Sequence, residues 1–334
     1  MIGVQTQQRL AKNAIKYMAE PELKTAEQYE SQRYQRTAEI ESKAMHGLSY
    51  EERAEREADF MIRSSGLELK PGDRILDLAS GVAQHAHVMR TKTGADIDAR
   101  EISGTLVTEA KQREAIRQET GEVRGKLDVA LGDMGRIREA IEDGAKYKLI
   151  TIGGSSFMYL PTEEAHEKAL ADYFDLLEPG GKLVLQFRER VKPADESQRN
   201  EWCGKLGVNI GSKVAEGNTG NFGKYAKPGE QVPILADTNA GDGFYFYQID
   251  NPTNPSEENT VSRHSFCRAY IQPDGTEEDM GPTHIIDLMS REGVAKGLNG
   301  MLERVGFKNT RLEEEELSPD GAWRMFSVVE EKPV

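Results

Sequence analysis

The sequence predicts an α/β fold: a parallel sheet with helices on both faces, plus an antiparallel β insert after the fifth strand. Three observations predict it. From Arg74 to Phe187, short apolar runs alternate with helical periodicity, the rhythm of parallel strands joined by crossover helices. After Val191 that rhythm stops, and strand-like runs follow one another without helices between them. Helical periodicity then returns over Arg291 to Val305, ahead of two last strands.

Taken in order, residues 1–65 read as helix-rich and charged, and Ser49 followed by Glu52 marks a helix start, because hydroxyl and carboxylate can each bond the other's backbone N–H. Pro71-Gly72-Asp73 breaks the chain before a first buried strand, Arg74 to Ala79. There follow a helix (His85 to Lys92), a strand (Ala95 to Ile102), a helix (Thr105 to Gln118) and a strand (Leu127 to Leu131). A helix around Arg136 to Asp143, a strand (Lys148 to Ile152) and a helix (Thr162 to Leu177) complete the repeat. Glu178-Pro179-Gly180-Gly181 turns the chain into the fifth strand, Lys182 to Phe187. Residues 192–240 are rich in Gly, Asn and Pro and give no periodic element. Strands are predicted at Gly243 to Gln248, Ser262 to Gln272 and Thr283 to Met289, the last two joined by the hairpin turn Gln272-Pro273-Asp274-Gly275. The last strands are Thr310 to Glu316 and Arg324 to Glu330, with the run Glu313 to Glu316 read as a solvated strand edge.

Composition narrows the function. The 334 residues carry 43 Lys and Arg against 57 Asp and Glu, a net charge of −14, and no basic face is available for nucleic acid. No run approaches the roughly 18 to 20 apolar residues that span a bilayer, and no membrane partner is expected. The N-terminal residues show no secretory leader pattern. Cys203 and Cys267 offer neither a disulfide framework nor zinc spacing. The expectation is a cytoplasmic protein with a small-molecule substrate and no metal; nothing in the sequence speaks to its oligomeric state.

Ligands of open parallel sheets sit beyond the carboxyl ends of the strands. The first such loop is Asp77-Leu78-Ala79-Ser80-Gly81, where small residues let backbone approach a ligand. Glu101-Ile102-Ser103 ends the second strand, 20 residues past Gly81, where a carboxylate is placed to accept ribose hydroxyl protons. Gly132-Asp133-Met134 ends the third, a carboxylate with an apolar neighbour that suits an adenine amino group and ring face. Singly, each is also what a tight turn or a solvated loop acid looks like; three at successive strand ends point to a nucleotide.

This series, with Leu177-Glu178-Pro179-Gly180-Gly181-Lys182-Leu183, resembles the S-adenosylmethionine-dependent methyltransferases over about residues 70–190 and the terminal Leu302 to Phe307 and last strands. The resemblance implies a Rossmann-like seven-stranded sheet, S-adenosylmethionine as cofactor and S-adenosylhomocysteine as product. It places Asp77, Ala79, Gly81, Glu101, Ile102, Asp133, Met134 and Gly153 at the cofactor. Ala83 departs from it, standing where that family has its last glycine. A dehydrogenase is the structural rival, but its G-x-G-x-x-G is absent.

A narrower resemblance is to the glycine/sarcosine N-methyltransferases. It rests on Ile152-Gly153-Gly154-Ser155-Ser156-Phe157-Met158-Tyr159-Leu160, on Leu183 to Arg188, and on the helix segment Glu52 to Glu57. It implies that Arg188 clamps an amino-acid carboxylate and that Arg53 meets the cofactor's methionine carboxylate. Ser155 stands where that family has Asn, and Tyr159 where it has His. With Arg188, these two are the expected catalytic residues. The resemblance divides the chain into an N-terminal helical segment covering the site (1–65), a cofactor domain (66–191 and 291–334) and an insert acting as substrate lid (192–290).

Methyl transfer from a sulfonium is an in-line displacement needing alignment, a dry site and a neutral nucleophile rather than a metal or covalent intermediate. The expected activity is N-methylation of a small amine carrying a carboxylate. Methylation of another small metabolite at oxygen, carbon or nitrogen, or non-catalytic cofactor binding, are the alternatives. Tyr245, Tyr247 and Tyr270, with His264 and Arg268 on one strand face, are candidate pocket walls, although aromatics in a β insert more often pack than bind.

Overall fold

The computed structural model describes residues 36–121, 124–160, 162–191, 195–214, 231–250, 261–289 and 297–334. The expectations for residues 1–35 and 291–296 lie outside these. Helical turns over 36–46 end at Gly47, whose φ of 68° opens the turn to the next helix. Helix α1 (Tyr50–Ser65) begins with the expected reciprocal cap: Ser49 Oγ accepts from Glu52 N, and Ser49 N donates to Glu52 Oε2 at 2.9 Å. Its buried face carries Arg53, Ala54, Glu57, Ala58 and Met61, the three-and-four spacing of a helix packed on a core.

The chain then alternates as expected: β1 (Arg74–Leu78), α2 (Gln84–Thr93), β2 (Asp96–Glu101), α3 (Gly104–Thr120), β3 (Leu127–Leu131), β4 (Tyr147–Ile152), α4 (Glu163–Leu176) and β5 (Leu177–Arg190). Next come α5 (Glu196–Lys205), β6 (Val208–Val214), β7 (Gln231–Asp237), β8 (Gly243–Asp250), β9 (Val261–Ile271) and β10 (Glu277–Met289). Helix α6 (Asn299–Val305) and strands β11 (Lys308–Glu316) and β12 (Trp323–Glu331) close the chain.

Seven strands form one sheet in the order β11-β12-β5-β4-β1-β2-β3, with β12 antiparallel to both its neighbours. Successive residues of the central strands face opposite cores: Leu76, Ile150, Leu183 and Leu185 pack with Phe157, Tyr173 and Phe326, while Ile75, Leu149 and Val184 pack with Met61, Met89 and Val107. Burial on both faces explains why these strands read as continuous apolar runs. The order reverses between β1 and β4, so a crevice opens beyond their carboxyl ends. Strands β6 to β10 form a separate antiparallel meander.

Three details differ from expectation. The segment expected as a helix near Arg136 is a 3-10 stretch, Met134–Ala140, kinked at Arg136 (φ −140°) and capped by Asp133. The Pro179-Gly180-Gly181 turn lies inside β5 as a bulge: Tyr147 pairs with Leu177 but Leu149 with Lys182. Gly180 takes φ 77° there, and its N–H and the carbonyl of Gly181 both pair with Lys332. Residues 192–240, expected without elements, hold α5, β6 and β7.

The 36–46 segment bridges to the meander. Ile40 and Ala44 pack on Trp202, Cys203, Val208 and Leu235. Arg36 holds Asp242 through Nε and Nη2 at 2.9 and 2.7 Å, and Tyr270 donates to the same carboxylate at 2.7 Å. Tyr270 is thus a structural hydroxyl here. The side chains of Tyr245, Tyr247, His264 and Arg268 lie outside the described residues. Among the described residues, no helix is long and apolar enough to cross a membrane.

Candidate active site

The loop after β1 winds through left-handed backbone at Ala79 (φ 51°), Gly81 (φ 56°) and Ala83 (φ 56°). Alanine at such a position costs on the order of 1 kcal/mol, which explains why the resembling family favours glycine where Ala83 stands. A Cβ built on Gly81 would meet nothing within 4 Å, so the loop has open space before it. Asp77, at the end of β1, is buried; Thr151 donates to its Oδ1 at 2.8 Å, while Oδ2 has no partner. Burial raises its carboxyl to about 6, against the opposing effects of His85 and the Thr151 bond.

Glu101 ties the three strand tips together. Its Oε2 accepts the Gly81 N–H at 2.8 Å and its Oε1 the Ser103 N–H at 3.0 Å, while its carbonyl accepts the Gly132 N–H at 2.9 Å. Burial raises its pKa, and these backbone bonds oppose the rise. Beside it, Ile102 is an apolar side chain left 48 % exposed at the end of β2. Asp133 accepts from Gly135 N at 2.8 Å and from Arg136 Nε at 3.2 Å. Half-buried Met134 lends its carbonyl to the Tyr173 hydroxyl at 2.9 Å.

A charged cluster lies across the crevice, centred on a residue the sequence reading missed. Glu57 is 1 % exposed and receives Arg188 through Nε at 2.7 Å and Nη2 at 3.1 Å. His85 Nε2 lies 2.9 Å from its second oxygen, and Arg53 Nε 4.0 Å from its first. Burial alone would raise the Glu57 carboxyl, but Arg188, His85 and Arg53 together hold it well below the usual range. Buried Arg53 leaves Nε without a partner, and its guanidinium lies 5.1 Å from the Tyr50 ring centroid. Burial, followed by the Arg188 charge, lowers its pKa.

The β4 tip supports this cluster. Ser155 (φ 65°) accepts the Arg188 backbone N–H on Oγ at 3.0 Å and donates its own N–H to the Gln186 carbonyl at 2.9 Å. Gln186 bridges further, accepting from Gly154 N and donating to the Glu57 carbonyl, each at 3.2 Å. A Cβ on Gly153 would stand 3.0 Å from His85 Cε1 and Nδ1, and one on Gly154 3.0 Å from Arg188 Nη2. The two glycines are seats for those side chains. Tyr159 is 39 % exposed, at the end of the 3-10 turn Ser156–Tyr159.

Of the expected site residues, Arg53, Gly153, Ser155 and Arg188 come together around Glu57, whereas Gly81, Glu101 and Gly132-Asp133 converge from the first three tips. Glu57, His85 and Gln186 were missed. Glu57 had one available signal, its place one helical turn after Arg53 on the same face. The crevice also gathers buried polar atoms without partners: Asp77 Oδ2, Ser80 Oγ and Arg53 Nε. Buried polar groups are nearly always bonded, so these atoms, with the open space at Gly81, fit a polar ligand with hydroxyl and carboxylate groups such as S-adenosylmethionine.

No family model matches the chain. It is 30 % identical to a glycine/sarcosine N-methyltransferase of Halorhodospira halochloris over 168 residues, 49 % of this chain and 58 % of that protein. It is 26 % identical to a glycine/sarcosine N-methyltransferase of Parasynechococcus marenigrum strain WH8102 over 182 residues, 52 % of this chain and 60 % of that protein. These matches span less than two thirds of either relative. An S-adenosylmethionine-dependent methyltransferase of Clostridium acetobutylicum ATCC 824 superposes with a TM-score of 0.55 at 14 % identity, covering 90 % of this chain and all of that one. The chain has the fold of the S-adenosylmethionine-dependent methyltransferases.

Proposed function

We propose that the protein is an S-adenosylmethionine-dependent methyltransferase that N-methylates a small amine carrying a carboxylate, glycine or its methylated forms first. The observation that carries this reading is buried Arg53, which leaves Nε without a hydrogen-bond partner 4.0 Å from Glu57, whose oxygens already receive Arg188 and His85. A buried donor left unsatisfied is costly, and a ligand carboxylate offsets that cost through charge-assisted bonds. The names of the two curated relatives and the fold support the same reaction class.

In this reading Arg53 binds the methionine carboxylate, and Asp77, Ala79, Gly81 and Gly153 line the chain of the cofactor. Glu101 accepts from the ribose hydroxyls, Ile102 and Met134 flank the base, and Asp133 takes its amino group. When bound, the cofactor supplies a methyl group already activated on a sulfonium. Arg188 orients the acceptor through its carboxylate, Ser155 fixes the Arg188 backbone, and Tyr159 borders the acceptor pocket. Helix α1 of the N-terminal segment and the insert after β5 cover the site in this reading, the insert as a substrate lid, in a cytoplasmic enzyme.

Calorimetry with S-adenosylhomocysteine and methyl-transfer assays on glycine, sarcosine and dimethylglycine test this. Binding with turnover of at least one acceptor is expected. Arg188→Ala should raise the acceptor KM by about 30-fold, the loss of a charge-assisted pair of roughly 2 kcal/mol, with cofactor affinity retained. Binding without product from any of the three rejects the acceptor class, and absence of binding rejects the whole reading.

A further inference from the structure

We propose that His85 is the proton acceptor for the amine, held in its working tautomer by Glu57; this rests on the methyl-transfer reading above. An amine reaches an enzyme at neutral pH mostly as its ammonium, which has no lone pair to attack a methyl carbon. A base must therefore stand near the acceptor. His85 occupies the first turn of α2, directly after the loop that closes the cofactor side of the crevice. Its Nε2 lies 2.9 Å from Glu57 Oε2. Glu57 is buried between two guanidiniums and ionised, so it can only accept. Nε2 then carries the proton and Nδ1 the lone pair, the same orienting logic by which a buried carboxylate sets a catalytic imidazole.

The lone pair is placed where an amine is wanted. Nδ1 and Cε1 of His85 lie against Gly153, and Nη2 of Arg188 lies against Gly154. The base and the carboxylate clamp are therefore seated on adjacent residues of the β4 tip, about 3.8 Å apart along the chain. An α-amino acid, with one carbon between amine and carboxylate, spans such a step. The His85 side chain is 18 % exposed, so Nδ1 can also return its proton to water.

The charged groups around the imidazole come from three elements. From α1 come Glu57 and, behind it, Arg53; from β1 comes Asp77; from β5 comes Arg188. In the step itself an ammonium N–H bond breaks, its electron pair stays on nitrogen, and the proton goes to Nδ1. The neutral amine forms its new bond to the methyl carbon as the carbon–sulfur bond breaks with its electrons left on sulfur. His85 then releases the proton to solvent, which balances one proton per methyl transferred.

Imidazole NMR of the ligand-free protein gives a readout independent of turnover: the neutral His85 ring should carry its proton on Nε2, and Glu57→Gln should weaken that tautomer preference. His85→Gln should lower kcat about 100-fold at pH 7, recover as pH rises and the amine deprotonates unaided, and leave S-adenosylhomocysteine affinity within threefold. Added imidazole should restore part of the activity of His85→Ala. An Nδ1–H tautomer overturns the proposal, as does a His85→Gln enzyme with wild-type kcat and an unchanged pH profile. A wild-type protein that neither binds S-adenosylhomocysteine nor transfers methyl overturns the functional reading, and this assignment falls with it.

Discussion

The guanidinium of Arg188 meets both oxygens of the Glu57 carboxylate, at 2.7 and 3.1 Å, across 131 residues of sequence. Removing one partner of a buried pair leaves the other uncompensated, at a cost of 3 kcal/mol or more on the order of magnitude known for such pairs. Glu57→Gln should therefore lower stability by about 3 kcal/mol, read by thermal or denaturant unfolding. The pH dependence follows in sign. The folded carboxyl sits well below its usual 4.5, so its contribution is present above pH 4.5 and lost on acidification through the folded value. Acid unfolding of Glu57→Gln should lack that component.

The adjacent glycines separate two effects. Gly154→Ala forces a side chain into φ 62° and to 3.0 Å from Arg188 Nη2, so it should cost about 1 kcal/mol in stability and raise the acceptor KM about tenfold. Gly153→Ala presses on the His85 ring instead, and its loss should fall on kcat. Steady-state kinetics of the two variants side by side check this; identical profiles would contradict the seating.

Ser49→Ala removes the reciprocal cap of α1, the helix that carries Arg53 and Glu57. Caps of this kind contribute about 1 kcal/mol. A loss of that size in denaturant unfolding, with kcat within twofold of wild type, is the expected result.

Glu330, on β12, is fully buried, and neither oxygen reaches a hydrogen bond of ordinary geometry. Burial lifts its carboxyl to about 7 from 4.5, with Glu303 adding to the rise and Thr310 opposing it. A raised folded value means that the contribution is full below pH 4.5 and is lost as pH climbs through 7. Glu330→Gln should flatten stability across that window and gain about 2 kcal/mol over wild type at pH 8, measured by unfolding at a series of pH values.

Much of the sheet was legible because β1, β4 and the body of β5 are buried on both faces, and burial writes an apolar run into each of them. The acids Asp77, Glu101 and Asp133 were legible by position, one at each successive strand end. Glu57 was harder to find, since Glu51, Glu52 and Glu55 on the same helix look alike in sequence; its place one turn after Arg53 was the one signal, and the approach of β5 decides it. The charge on Arg188 could be read, but not its partner. Strands β6 and β7 escaped because their register, Val208 with Asp237 through Val214 with Gln231, comes from pairing with each other and not from an apolar alternation in either.

The outer border of the seven-stranded sheet is β11, and Glu313 to Glu316 lie along it. Glu315 is gripped by Arg56 and Arg63, and Glu314 pairs with Arg324 at 3.2 Å. A border strand offers free backbone to any passing chain. Here an incoming copy would have to lay its own row of glutamates beside this one, and like charges face to face repel. Glu315, which braces α1 through Arg56 and Arg63, thus belongs to a charged border that disfavours pairing with a second copy, and exchanging the four glutamates for threonine should leave that flank open to recruitment.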